Sequence, residues 1–170
     1  MATAVAVPVV VVLLVLIRVL GPGSGEDASG PVAEVSGATP SQRDDGPVEV
    51  ETPEITPEAD AACPALMSQL PLEVVGETSR RVDSDSPYAY AWGDPAQVLI
   101  CGVPQIDLQP DAFIVQISGL PWFVDTSDPA VNVWTTTDRS VAVQISVPAS
   151  TDSALVTALG PIIAGAIPAR

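Results

Sequence analysis

Histidine and lysine are both missing from this 170-residue chain, and its six basic residues are all arginines. Without imidazole there is no ordinary Ser-His or Cys-His nucleophile pair, no histidine-based zinc site, and no base whose unperturbed pKa lies near neutrality. Without lysine there is neither a Schiff base nor a phosphate-loop lysine. The net charge of −15 leaves no basic surface for phosphates, so nucleic acid is excluded as a partner. No cofactor and no metal are called for. The one loop with calcium-like spacing, "DSDSPYAYAWGD" (83 to 94), places Pro87 and Tyr88 where an EF-hand needs an oxygen ligand and a glycine.

Cysteine is scarce too, with only Cys63 and Cys101. If the domain is exported, the two most simply form one disulfide; in a reducing cytosol they would be two buried thiols. The N-terminus bears on that choice. "MATAVAVPVVVVLLVLIRVL" is apolar from Ala2 to Ile17, interrupted only by Thr3 and Pro8, and Arg18 can snorkel to extend the usable stretch through Leu20. Residues 1–20 are read as a membrane anchor or signal segment. The first residues carry no Lys or Arg, and only "GPGSG" (21 to 25) offers small residues for cleavage, so an uncleaved anchor is preferred and secretion after cleavage is the alternative. Arg18 on the C-terminal flank would put the domain in the cytoplasm by the positive-inside rule. One arginine is outweighed by the cysteine pair, and the expectation is a single-pass protein with its C-terminal domain outside the membrane.

Residues 21–62 are rich in Pro, Gly, Ser, Thr and acid, with Arg43 the lone base. A segment of this kind buries too little apolar surface to offset its ordering entropy, so the reading is a disordered acidic tether. As a flexible coil it would reach roughly 35 to 40 Å, enough to set a domain among cell-wall polymers.

Residues 63–170 are read as one folded domain. "CPALMSQLP" suggests a short helix, with Pro64 in its first turn and Pro71 ending it. "LEVVGE" (72 to 77) reads as a strand and "TSRRVDSDS" (78 to 86) as a polar loop. Tyr88, Tyr90 and Trp92 recur at period two, which on a strand puts three rings on one face. A "GDP" turn and the returning strand "QVLIC" follow, then "FIVQIS", "WFVD", "NVWTTT" and "SVAVQISVP". The last alternates most cleanly, with Val141, Val143, Ile145 and Val147 on one face. A C-terminal amphipathic helix carries Leu155, Leu159, Ile162, Ile163 and Ile167, capped at Ser150 or Thr151 and kinked or split at Gly160-Pro161. The expected fold is α+β: a mainly antiparallel sheet of about five strands, with a short N-terminal and a longer C-terminal helix on one side.

Few residues in this domain suggest chemistry. The aromatic row Tyr88, Tyr90 and Trp92 could offer a carbohydrate platform, although packing under a helix is the preferred reading. Arg139 could hold a carboxylate ligand, although pairing with a neighbouring acid is preferred. Asp83, Asp85, Asp94, Asp107, Asp111, Asp125, Asp128 and Asp138 could in principle supply a hydrolytic pair, but Asp beside Gly, Pro and Ser usually bonds its own backbone.

The ordered motifs "CPALMSQLP", "AWGDP", "VLICGVP", "GLPW" and "WTTTDRSVAVQISVP" resemble an actinobacterial family of exported or membrane-anchored proteins, the domain of unknown function numbered three-five-one-five. Where that family often has a basic residue before its second cysteine, this chain has Ile100. The resemblance implies an N-terminal membrane segment, an extracytoplasmic domain and a Cys63–Cys101 bridge, and it carries over no catalytic residue. The functional expectation is a membrane-anchored cell-envelope protein, a non-enzymatic binding or assembly module for a wall component or envelope protein. The alternative is a glycan-directed hydrolase using paired Asp residues.

Overall fold

In the computed structural model, residues 46–170 are described, so the apolar leader and the first part of the acidic segment lie outside the described residues. The clearest pattern of the sequence sits at the centre of the fold. Strand β10 (Ala142–Pro148) buries Val143, Ile145 and Val147 on the face that the alternation predicts, and Val141 just before it is buried too. Each such side chain contributes about 1.5–3 kcal/mol of hydrophobic stabilisation.

On either side of β10 lie β6 (Gln97–Val103) and β9 (Val131–Thr136), both antiparallel to it. Beyond β6 come β5 (Ala89–Trp92), β3 (Glu77–Arg80) and β2 (Glu73–Val74); beyond β9 come β8 (Leu120–Asp125) and β7 (Ile114–Ile117). The result is an 8-stranded sheet in the order β2-β3-β5-β6-β10-β9-β8-β7, antiparallel throughout. A separate short pair joins β1 (Val48–Glu49) to β4 (Val82–Asp83) in parallel.

Two helices complete the α+β architecture. Helix α1 (Pro57–Met67) buries Ala59, Cys63 and Leu66, and α2 (Ala154–Ala166) buries Leu155, Val156, Leu159 and Ile163. They touch each other and share one apolar core with Leu99, Trp92, Trp122 and Ile145 of the sheet. Two glycines permit the close approach. A Cβ on Gly102 of β6, where φ is +95°, would lie 2.8 Å from the Ala59 Cβ, and one on Gly160 of α2 would lie 2.6 Å from the Ser118 Cβ.

The sheet has more strands than the expected five, because a polar stretch read as loop also pairs, in part within the sheet as β3 and in part as β4 of the separate pair. "TSRRVDSDS", read as a loop, supplies most of β3 and all of β4, where side chains on exposed strands show no apolar alternation. "LEVVGE" is a tight hairpin, turning at Val75 and Gly76 with φ of 54° and 78°. The first helix begins upstream of the expected position: Thr56 caps it by accepting the Ala59 N–H at 3.1 Å, Pro57 opens it, and Cys63 and Pro64 lie inside. Residues 46–62, read as tether, therefore hold β1 and the start of α1.

The second helix starts at Ala154, with Ser153 rather than Ser150 or Thr151 at its N-cap, and it runs through Pro161 without a break. Proline there removes the N–H that would bond the Thr157 carbonyl. The Ser118 hydroxyl takes its place, donating to the Thr157 oxygen at 2.8 Å.

Candidate functional site

The aromatic row occupies β5 and the residue before it, facing the core. Trp92 is fully buried and its indole N–H donates to the Pro71 carbonyl at 2.9 Å. Tyr88 is buried as well, and its hydroxyl donates to the Asp60 Oδ1 of α1 at 2.5 Å. That bond to a carboxylate, aided by burial, raises the phenol pKa above its ordinary value. Tyr90 is half-buried, its ring centroid 4.5 Å from that of Trp92 at a 40° tilt. A row sealed in this way presents no continuous flat face to a ligand.

Directly beside the row is the covalent link. Cys63 of α1 and Cys101 of β6 form a disulfide across 38 positions of sequence, with their Cα atoms 5.8 Å apart. Helix and sheet are thus joined at the place where Gly102 allows their backbones to meet. Closing a loop of that length removes roughly 4 kcal/mol of unfolded-state entropy in the chain model.

Arg139 belongs to a different cluster, a clasp on the C-terminus. Its guanidinium donates to both carboxylate oxygens of Asp138, at 2.9 and 2.7 Å, and to the Ile167 carbonyl at 3.1 Å. The side chain is almost wholly buried, so the neighbouring acid takes the place an external carboxylate would need. The bonds from Arg139 hold the Asp138 carboxyl below the usual carboxylate range. Arg170 closes the clasp, donating to the Thr137 carbonyl at 2.7 Å and to the Gln105 side-chain oxygen at 3.2 Å.

Several of the remaining aspartates serve turns. Asp125 accepts the Ser127 N–H at 2.9 Å, which lowers its pKa, and Asp128 accepts the Ala130 N–H at 2.8 Å. Thr136, from the threonine run at the end of β9, accepts the Val143 N–H at 3.0 Å beside the irregularity between Ala142 and Val143.

Among the described residues, hollows lie along β4 and the loop after it, and another of about 260 Å³ lies beside Thr56, Gly102, Gln105 and Ser140. One open hollow of about 420 Å³ is lined by Arg80, Ser84, Asp85, Ser86, Pro87 and Tyr90, among others. A second of about 470 Å³ adjoins it at Ser84 and Asp85 and is otherwise walled by Glu49, Val50, Glu51 and Asp83. Arg80 reaches the carbonyls of Gly46 and Gly93, at 2.8 and 3.2 Å, and so ties the first described residues to the turn after β5. Of the expected ligand surface, Tyr90 lines the first of these hollows; Tyr88, Trp92 and Arg139 are committed to packing and internal bonds. Sequence reading missed the hydroxyls of Ser84 and Ser86 because a polar stretch with no periodicity carries no signal of concavity. Among the described residues, no three His, Cys, Asp or Glu side chains are grouped to hold a metal ion, and no helix is long and apolar enough to cross a membrane.

The fold and its link define a disulfide-stapled α+β domain. The chain belongs to the DUF3515 family, described as a protein of unknown function, whose model matches residues 3–170. No curated protein and no solved structure matches it.

Proposed function

We propose that this protein is a membrane-anchored, extracytoplasmic module of a cell envelope that acts by binding or assembly rather than by catalysis. The observation that carries the proposal is the Cys63–Cys101 disulfide, set between α1 and β6 in the core. Such links persist in oxidising compartments and are rare in reducing ones. The apolar leader of residues 2–17 supplies the anchor and the acidic segment after it the spacing from the membrane. Action by binding is supported by where the reactive groups go: Arg139, Asp138 and Tyr88 are engaged in bonds that hold the fold. The ligand surface assigned is the hollow beside Tyr90, where exposed Asp85 and Pro87 and half-buried Tyr90 face a wall component or envelope protein, while Arg80, Ser84 and Ser86 in its wall are held by internal bonds. A reporter enzyme active only outside the membrane, fused after Arg170, is expected to be active in cells; an inactive fusion overturns the placement.

One observation favours a second reading, the glycan-directed hydrolase: Asp83 and Asp85 share a hollow with Glu49 and Glu51, and glycosidic cleavage works through two carboxylates about 5 to 9.5 Å apart. Release of sugar from wall glycan by the purified protein, abolished by Asp85→Asn, would move the function to that class.

A further inference from the structure

Ahead of helix α1, residues 46–55 cross the domain surface with little to hold them. From Gly46 to Glu58 no residue is buried, and Val48 and Val50 are only half-buried. Attachment is through the main chain. The Val48 N–H donates to the Arg81 carbonyl at 2.8 Å and the Val50 N–H to the Asp83 carbonyl at 2.9 Å, while Arg80 donates to the Gly46 carbonyl at 2.8 Å. A segment with few buried apolar contacts and its bonds at the surface opens at a lower free energy than the core.

Two features work against the closed position. The parallel register of β1 and β4 sets Glu49 directly opposite Asp83, and Glu51 and Asp85 line the same hollow of about 470 Å³. Like charges that face each other across neighbouring strands are destabilising. Among the described residues, Arg81, exposed beside them, makes no ion pair with any of these four carboxylates. The second feature follows directly after the paired residues: the Thr52 hydroxyl is shut away from solvent with no hydrogen-bond partner in the protein. Burying an unbonded hydroxyl is unfavourable, and release of the segment returns it to water.

We propose that residues 46–55 are a charge-gated strap. Where salt screens the four carboxylates the strap closes on β4; where it does not, their repulsion and the buried Thr52 hydroxyl lift it off. Closed, it covers the outer edge of β4 and supplies Glu49, Val50 and Glu51 as one wall of the second hollow, which adjoins the first at Ser84 and Asp85. Open, it removes that wall and adds about 35 Å of contour to the chain that precedes Thr56, the N-cap of α1. The strap goes beyond the binding role proposed above and operates whether or not either hollow takes a ligand.

The test is amide hydrogen exchange at Val48 and Val50 in the full chain in detergent, each rate referred to the same residue in a free peptide spanning the strap. Both amides are expected to be protected relative to the peptide, to exchange at least about tenfold faster than the amides of β10, and to slow about threefold between low and half-molar salt. Asp83→Asn removes the facing charge and keeps the main-chain acceptor of Val50; it is expected to slow both amides about fivefold at low salt and to erase most of the salt response. Thr52→Val, which removes the unbonded hydroxyl, should slow them by a similar factor, about fivefold, and leave the salt response intact. Asp107→Asn makes the same change of charge at an exposed loop position that lines none of the three hollows, and should alter neither rate. Rates indifferent to salt, Asp83→Asn no slower than Asp107→Asn, protection equal to that of β10, or exchange at the free-peptide rate at every salt concentration each overturn the proposal.

Discussion

The two flanks of the sheet are held by different means. On one, α1 is covalently tied to β6, Trp92 and Leu99 are fully buried, and Gly102 brings helix and strand backbones together. On the other, the β7–β8 hairpin rests on Leu120 and Trp122, on the Ser118 bond to the Thr157 carbonyl, and on the small side of Gly160, with Phe113 left in solvent. The first flank depends on the redox state of its surroundings; the second depends on packing and a hydrogen bond, with no covalent link. A protein built in this way places its one covalent cross-link on a single flank of the sheet.

Four changes test that contrast, the largest first. Trp92→Ala removes the biggest buried side chain of the stapled flank and the bond to Pro71, and is expected to cost about 4–5 kcal/mol in urea unfolding. Reduction of Cys63–Cys101 should cost roughly 3–4 kcal/mol, and hydrogen exchange should then rise in α1, β5 and β6 while β7 and β8 change little. Equal loss of protection on both flanks would erase the distinction. Gly102→Ala places a Cβ against Ala59 at a positive φ, for about 2 kcal/mol on thermal unfolding, and its effect should shrink once the disulfide is reduced.

The smallest effect is at the C-terminal clasp. Arg139→Ala should cost about 1–2 kcal/mol, a figure kept low because Asp138 is 37 % exposed. The Asp138 pKa is depressed by the Arg139 bonds, so its contribution is complete above the unfolded carboxylate value of about 3.9 and fades as pH falls through the lower folded value. The Arg139→Ala penalty should therefore narrow in acid, measured as the difference in unfolding midpoint between the two proteins. A penalty independent of pH would remove the ion pair from the account.

What could be read in advance follows burial. Val143, Ile145 and Val147 announce their strand because one face of it is packed, and the rings at Tyr88, Tyr90 and Trp92 announce β5 for the same reason. The start of α1 was hidden by composition: Thr56-Pro57 with Glu58 and Asp60 in the first turn is a sound N-terminus, but it continues an acidic, proline-rich stretch and buries only Ala59, Cys63 and Leu66. β3 and β4 carry polar residues because they are narrow, partly exposed pieces, so their pairing depends on neighbours distant in sequence. Pro161 misled for a local reason, since the side chain that replaces its lost bond, Ser118, lies far along the chain. The hollow beside Tyr90 was illegible because its walls come from β3, β4, β5 and a loop that only the fold assembles.

The central claim is that this domain matures outside the membrane with its helix linked to its sheet. Alkylating free thiols in intact cells before lysis, then digesting without reduction, reads it directly. The account predicts no alkylated cysteine and one linked peptide joining Cys63 to Cys101; alkylation of both residues, with no linked peptide, contradicts it.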